Sequence, residues 1–228
     1  MLGFSADAQD YAAQRARMVA EVDAMYAETR SETGLPAMSA AVRGAMDKVE
    51  RHRLVPPGEL SRAYRNHPLP IGSGQTISQP YIVALSTDLL QPRPQDVVLE
   101  VGTGSGYQAA VLAEVVSRVY SIELLADLGN TARQRLGELG YRNVEVRIGD
   151  GYAGWPEKAP FDGIVVTAAA PRVPKALVEQ LKTGGRMVIP VGGEGEIQYL
   201  KVLTKRADGG VDEKRVLPVR FVPLVPGK

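Results

Sequence analysis

Apolar residues return with a helical period through the first fifty positions. From about Asp10 to Arg30, Tyr11, Met18, Val22, Met25 and Tyr26 recur among Arg, Glu and Asp, which predicts an amphipathic helix lying on a domain. Gly34 and Pro36 break it, and Met38, Val42, Ala45, Met46 and Val49 restart the stripe. Between Leu54 and Gln79 the pattern stops. Pro56, Pro57, Gly58, Pro68, Pro70, Gly72 and Gly74 are too many breakers for a regular element, while apolar residues are too frequent for disorder. A structured loop is expected, and loops of this length tend to carry function.

Regularity resumes at Tyr81. A helix to about Leu90 precedes the buried strand Val97 to Val101, a glycine turn, and a helix through Val116. Strands follow at about Val119 to Ile122, Val144 to Ile148, Ile164 to Thr167 and Met187 to Val191, with helices near Asp127 to Leu139 and Pro174 to Leu181. This alternation predicts an α/β fold with a mostly parallel, twisted sheet covered by helices on both faces. The last apolar runs, Tyr199 to Thr204 and Lys214 to Phe221, flank Asp208-Gly209-Gly210 and predict a C-terminal antiparallel hairpin. The expected organisation is an N-terminal helical extension over residues 1–36 and one catalytic domain over residues 37–228.

Composition narrows the partners. Twenty-seven basic residues against twenty-six acidic ones leave a formal charge of +1, so no global field draws in nucleic acid or an anionic membrane. The short run Arg51-His52-Arg53 reads as a solvated helix end. Without cysteine, and with only His52 and His67, neither a thiolate nucleophile nor a bound metal is expected. No apolar run approaches the roughly 18 residues of a membrane helix, and no signal sequence opens the chain. The expectation is a cytoplasmic protein, or an exported one if a leader was removed before Met1. Its oligomeric state is open, with a monomer the preferred reading.

The chemistry concentrates after the first strand, in Val98-Leu99-Glu100-Val101-Gly102-Thr103-Gly104-Ser105-Gly106-Tyr107. A ligand is expected there, at the carboxyl end of a strand. The dinucleotide fingerprint G-x-G-x-x-G/A would need Gly or Ala where Tyr107 stands. Glycine at 102, 104 and 106 behind the acidic Glu100 instead resembles the turn of Rossmann-like methyltransferases. Glu123 ends the second strand, where a carboxylate can accept both hydroxyls of a ribose. Asp150, in Gly149-Asp150-Gly151, follows the third strand; the same resemblance gives its carboxylate the adenine amino group and leaves Gly151 clear for the ring. Alone, an Asp-Gly pair is an ordinary turn.

Leu69-Pro70-Ile71-Gly72-Ser73-Gly74-Gln75-Thr76-Ile77-Ser78-Gln79-Pro80 resembles the protein-L-isoaspartate O-methyltransferase family. The likeness continues through Phe161-Asp162, Ala168 to Pro171, Leu181 to Arg186, Pro190 to Gly192 and Val219 to Leu224, covering nearly everything after Ala40. It implies methyl transfer from S-adenosyl-L-methionine, leaving S-adenosyl-L-homocysteine, to the free α-carboxylate of L-isoaspartyl residues in damaged proteins and peptides. The resulting ester re-forms a succinimide, so the function is repair. The resemblance makes Ser78 the catalytic candidate, orienting that carboxylate, and makes Gln75, Thr76, Ile77 and Ser78 walls of the cofactor pocket. Read from spacing alone, Ser78 would be a helix cap ahead of Pro80. A nucleophilic serine would need a base held by a third group, and no such set is visible. Three alternatives remain at this point: another methyltransferase on the same scaffold, a nicotinamide oxidoreductase, and a cofactor-binding protein without turnover.

Overall fold

The structure is a computed structural model that describes residues 10–193 and 195–227. The first nine residues of the expected extension therefore lie outside the described residues. Helix α1 (Tyr11–Glu28) begins where Asp10 accepts a hydrogen bond from Ala13 N at 2.9 Å, satisfying one of the unpaired first-turn amides. After a single helical turn, α2 (Arg30–Thr33), and the left-handed Gly34, helix α3 (Ala40–Lys48) starts on the Ser39 cap. Helix α1 packs on α3 and on α4 (Pro80–Leu90), tied there by Tyr26, whose hydroxyl donates to Asp88 at 2.7 Å in the core.

The expected loop holds more order than its breakers suggest. Two 3₁₀ turns (Arg51–Leu54 and Pro57–Arg62) lead into an antiparallel hairpin, β1 (Leu69–Gly72) and β2 (Gln75–Ile77). Ser73 and Gly74 form its turn at φ 51° and 70°, both left-handed as in a type I′ hairpin. The hairpin lifts Ser78 to the lip of the sheet, directly before α4.

Seven strands make the main sheet: β3 (Val97–Val101), β4 (Arg118–Glu123), β5 (Val144–Ile148), β6 (Phe161–Val166), β7 (Leu181–Val191), β8 (Gln198–Lys205) and β9 (Val211–Val219). Their order is β5-β4-β3-β6-β7-β8-β9, parallel as far as β7 and antiparallel from β7 through β9. Helices α5 (Tyr107–Ala113), α6 (Ala126–Glu138) and α7 (Lys175–Glu179) cross between the parallel strands. Strand β7 starts at Leu181, six residues before the apolar run that marked it, because Phe161 pairs with Leu181 ahead of the irregularity at Gly184-Gly185.

Both faces of the sheet are buried, and alternate residues divide between two cores. Val98, Val165, Val188 and Val202 join the side chains of α1, α3, α4 and α5, whereas Leu99, Val101, Ile164, Met187 and Leu203 face Trp155, Phe161 and Leu177. Among the described residues no helix is long and apolar enough to cross a membrane.

The basic run is a solvated helix end only in part: Arg53 is exposed and pairs with Glu50 at 3.4 Å, whereas Arg51 is buried. Arg51 is 0% exposed: its Nε donates to Ala63 O at 2.8 Å, its guanidinium donates to His67 O at 3.3 Å, and it lies 4.7 Å over the Tyr107 ring. Carbonyl oxygens and a ring face replace water around the cation. His52 stacks on Tyr11 at 3.9 Å, and its Nδ1 is 2.8 Å from the Tyr64 hydroxyl.

Candidate functional site

Strand order reverses at β3, since β4 lies on one side of it and β6 on the other. Connections leaving these strands in opposite directions open a crevice beyond their carboxyl ends. The glycine turn occupies that crevice. Gly102, Gly104 and Gly106 all have positive φ, and a Cβ at Gly102 would overlap the Thr167 hydroxyl. That hydroxyl donates to Gly102 O at 2.6 Å, closing the turn against the end of β6.

The turn floors a cavity of about 870 Å³, counting its open mouth and the solvent space there. Gln75, Thr76, Ile77, Ser78, Glu100, Gly102, Gly104, Glu123 and Gly151 line it, so the structure brings these sequence candidates to one place. Gly106 sits just behind, capping α5 against Leu136. Asp150 flanks the cavity beside Gly151 without lining it; its Oδ1 accepts from Tyr152 N at 2.8 Å, the ordinary turn contact of an Asp-Gly pair. A Cβ on Gly151 would come within 2.6 Å of Val101 Cγ1, so only glycine leaves this wall flat.

Two carboxyl groups set the electrostatics. Glu123 accepts from Gly104 N at 2.8 Å and Leu125 N at 3.0 Å, which holds it at the end of β4. Glu100 is 0% exposed and receives the Ser121 hydroxyl at Oε2, while its Oε1 has no partner. Burial pushes its carboxyl up to about 8; the neighbouring Glu123 charge adds to the rise, and the Ser121 hydroxyl and Ala109 backbone oppose it. An orphan buried oxygen on a cavity wall is expensive unless a bound cation or donor satisfies it.

Ser78 does not cap α4. Gln79 takes that position and donates its side chain to Asn66 O at 3.0 Å. Among the described residues the Ser78 hydroxyl has no hydrogen-bond partner. Ser78 lines two hollows, because Thr76, Ser78, Thr167 and Val222 also line a second, larger groove bounded by Met25, Thr29, Tyr81 and Phe221. His67 lines neither hollow, and its Nδ1 lies 2.9 Å from Pro68 O.

Sequence reasoning passed over three parts of the site. Thr167 ends an apolar strand without any motif, although its place beside the switch point marks it. Gln108 donates to Thr87 at 2.9 Å from inside the cavity wall. The tail Val222 to Val225 closes the far side, pinned where Leu224 N donates to Ala169 O at 2.7 Å.

A glycine turn at a switch point, with an acid ending the next strand and Tyr107 buried where a dinucleotide site needs a small residue, defines a Rossmann-like methyltransferase that uses S-adenosylmethionine. More particularly, the chain belongs to the protein-L-isoaspartate (D-aspartate) O-methyltransferase family, whose model matches residues 23–228. Protein-L-isoaspartate O-methyltransferase 2 of Polaromonas sp. (strain JS666 / ATCC BAA-500) is 58% identical over 207 residues, covering 91% of this chain and 98% of that one. Protein-L-isoaspartate O-methyltransferase 1 of Nitrosospira multiformis is 58% identical over 217 residues, 95% of this chain and 89% of that one. Among solved structures, a protein-L-isoaspartate O-methyltransferase superposes with TM-score 0.80 at 28% identity, over 92% of this chain but 65% of that longer chain. A second, from Plasmodium falciparum in complex with S-adenosyl-L-homocysteine, gives TM-score 0.71 at 26% identity over 89% and 98% of the two chains.

Proposed function

We propose that this chain methylates the free α-carboxylate of L-isoaspartyl residues in damaged proteins and peptides, with S-adenosyl-L-methionine as donor and S-adenosyl-L-homocysteine as product. The observation that carries the reading is the unpartnered Ser78 hydroxyl on the wall shared by the 870 Å³ cavity and the open groove. Family membership supports the choice of acceptor.

The residues fit the donor. Support comes from Glu123, Gly151 and Glu100 lining the cavity: Glu123 would take the ribose hydroxyls, Glu100 an ammonium group at its orphan oxygen, and Asp150, beside the cavity rather than on its wall, the adenine amino group next to Gly151. Gly102 and Gly104 keep the floor low, and Gln75 to Ser78 form the wall towards the acceptor. The cofactor contributes a methyl group on a positively charged sulfur, which departs as a neutral thioether.

The acceptor needs no base. A carboxylate with a reference pKa of about 3.9 is ionised at neutral pH and supplies its own electron pair to the methyl carbon as the carbon–sulfur bond breaks. The protein's work is alignment and exclusion of water. Ser78 donates a hydrogen bond from its hydroxyl to one carboxylate oxygen and so fixes the direction of the other. The methyl ester product re-forms a succinimide whose hydrolysis returns part of the material to a normal aspartyl linkage.

The test is transfer of labelled methyl from the cofactor to an isoaspartyl peptide and to its aspartyl twin. Label is expected in the first only, in a base-labile form. Equal labelling of both removes the reading.

A further inference from the structure

A separate groove lies further back along α1 from the one that holds Ser78. On the same side of α1, Arg17, Met18 and Glu21 line this second groove, closed from below by Tyr64, Arg65 and Asn66. Positions 18, 21 and 25 follow helical i+3 and i+7 spacing, so one face of α1 walls both grooves. Met25, Asn66 and Gln79 form the saddle between them: Asn66 Nδ2 donates to Met25 Sδ at 2.9 Å, and Gln79 Nε2 donates to Asn66 O at 3.0 Å. All three are half-buried; Asn66 lines the far groove and Met25 and Gln79 the near one, so their contacts join the two.

The far groove is positive. Arg17 and Arg65 are exposed, and neither has an ion-pair partner among the described residues. Nearby arginines are engaged: Arg62 pairs with Glu59 at 2.5 Å, and Arg15 donates to the Tyr64 hydroxyl at 3.3 Å. Glu21 is the one carboxylate lining the groove, against two uncommitted guanidinium groups. This part of α1 also precedes residue 23, where the match to the family begins.

We infer that the face of α1 from Met25 back to Arg17, together with Arg65, is a docking surface for the polypeptide flanking the methylated residue, and that it selects an acidic side chain there. The inference rests on the reading of the Ser78 groove as the acceptor site. Two turns of α1, about 12 Å, separate Met25 from Arg17. An extended chain covers that distance in about four residues. Counted from the substrate residue that lies at Met25, the preference falls about four positions further out, and so at least about four positions from the isoaspartyl residue, on one side only, since the surface runs one way from the mouth.

The experiment compares kcat/KM for isoaspartyl peptides of neutral sequence in which a single Glu or Lys is walked outward in both directions. Glu is expected to exceed Lys by about 3- to 10-fold at that distance, the ratio shrinking as salt is raised. Arg17→Glu with Arg65→Glu should invert the ratio, and the double alanine variant should level it. Both should leave turnover of the all-neutral peptide within about twofold, because neither residue touches the reacting groups. Methylation of every peptide without a charge effect, or a Glu preference that survives the double reversal, overturns this inference alone. Failure to methylate any isoaspartyl peptide, neutral ones included, overturns the acceptor reading and this inference with it.

Discussion

The Ser121 hydroxyl donates to Oε2 of Glu100 inside the core, and Thr103 Oγ1 lies 2.5 Å from the same serine oxygen. Ser121 has one proton, so Thr103 is the donor of the second bond. The chain ends on a carboxyl that is uncharged over much of the neutral range.

That carboxyl gives stability a pH dependence of definite sign. Burial raises Glu100 from 4.5 to about 8, so between those values the folded protein holds a proton that the unfolded chain has released. Its contribution is complete below about pH 4.5 and is lost as pH climbs towards 8. In the absence of cofactor, Glu100→Gln should remove this part of the decline, so that the difference in Tm between variant and wild type grows in the variant's favour from acid to mildly alkaline pH. Parallel curves would show that Glu100 is ionised throughout.

Ser78→Ala should lower kcat by about 10- to 150-fold, the equivalent of one hydrogen bond to a charged group at 1.5–3 kcal/mol. Since its hydroxyl is unpartnered in the protein, Tm should hold. The Kd of S-adenosyl-L-homocysteine should stay within about twofold. Unchanged turnover would strip Ser78 of its role.

Glu123→Gln keeps the shape at the end of β4 but halves its acceptors, two of which already serve Gly104 N and Leu125 N. Calorimetry should find S-adenosyl-L-homocysteine bound at least about 10-fold more weakly, a loss typical of charged hydrogen bonds. Turnover at saturating cofactor should be nearly preserved. Wild-type affinity in this variant would move ribose recognition elsewhere.

Arg51→Ala should destabilise the fold by about 3–5 kcal/mol in urea unfolding, as truncation of a large buried side chain does. Arg51→Lys should recover little, because one ammonium cannot replace both the Nε donation to Ala63 and the second donation to His67. Full recovery by lysine would mean that the charge over Tyr107 matters more than the fork.

The parallel half of the sheet was legible because strands buried on both faces read as unbroken apolar runs, as in Val97 to Val101 and Ile164 to Val166. Glu100, Gly102, Gly104 and Glu123 followed from those runs, since a ligand site lies at their carboxyl ends. The β1/β2 hairpin was hidden by its shortness and by Pro70; Ser73-Gly74 was the only local signal. Arg51 was misread for another reason. Nothing nearby in sequence announces that the carbonyls of Ala63 and His67 will converge on it, and a run of three basic residues is ordinarily wet. Thr167 and Val222 carry no motif, and only the folded chain sets them on a wall common to both hollows.

That common wall makes the two hollows meet at a doorway. On the proposed reading the client's carboxylate reaches the donor past Thr76 and Ser78, so the segment that carries it has to reach in from the client's surface. The enzyme then measures the compliance of its client as well as its chemistry. The same lesion in a stiff helix and in a loose terminus should be mended at rates that track how readily each segment peels away, which paired substrates differing only in local stability would reveal.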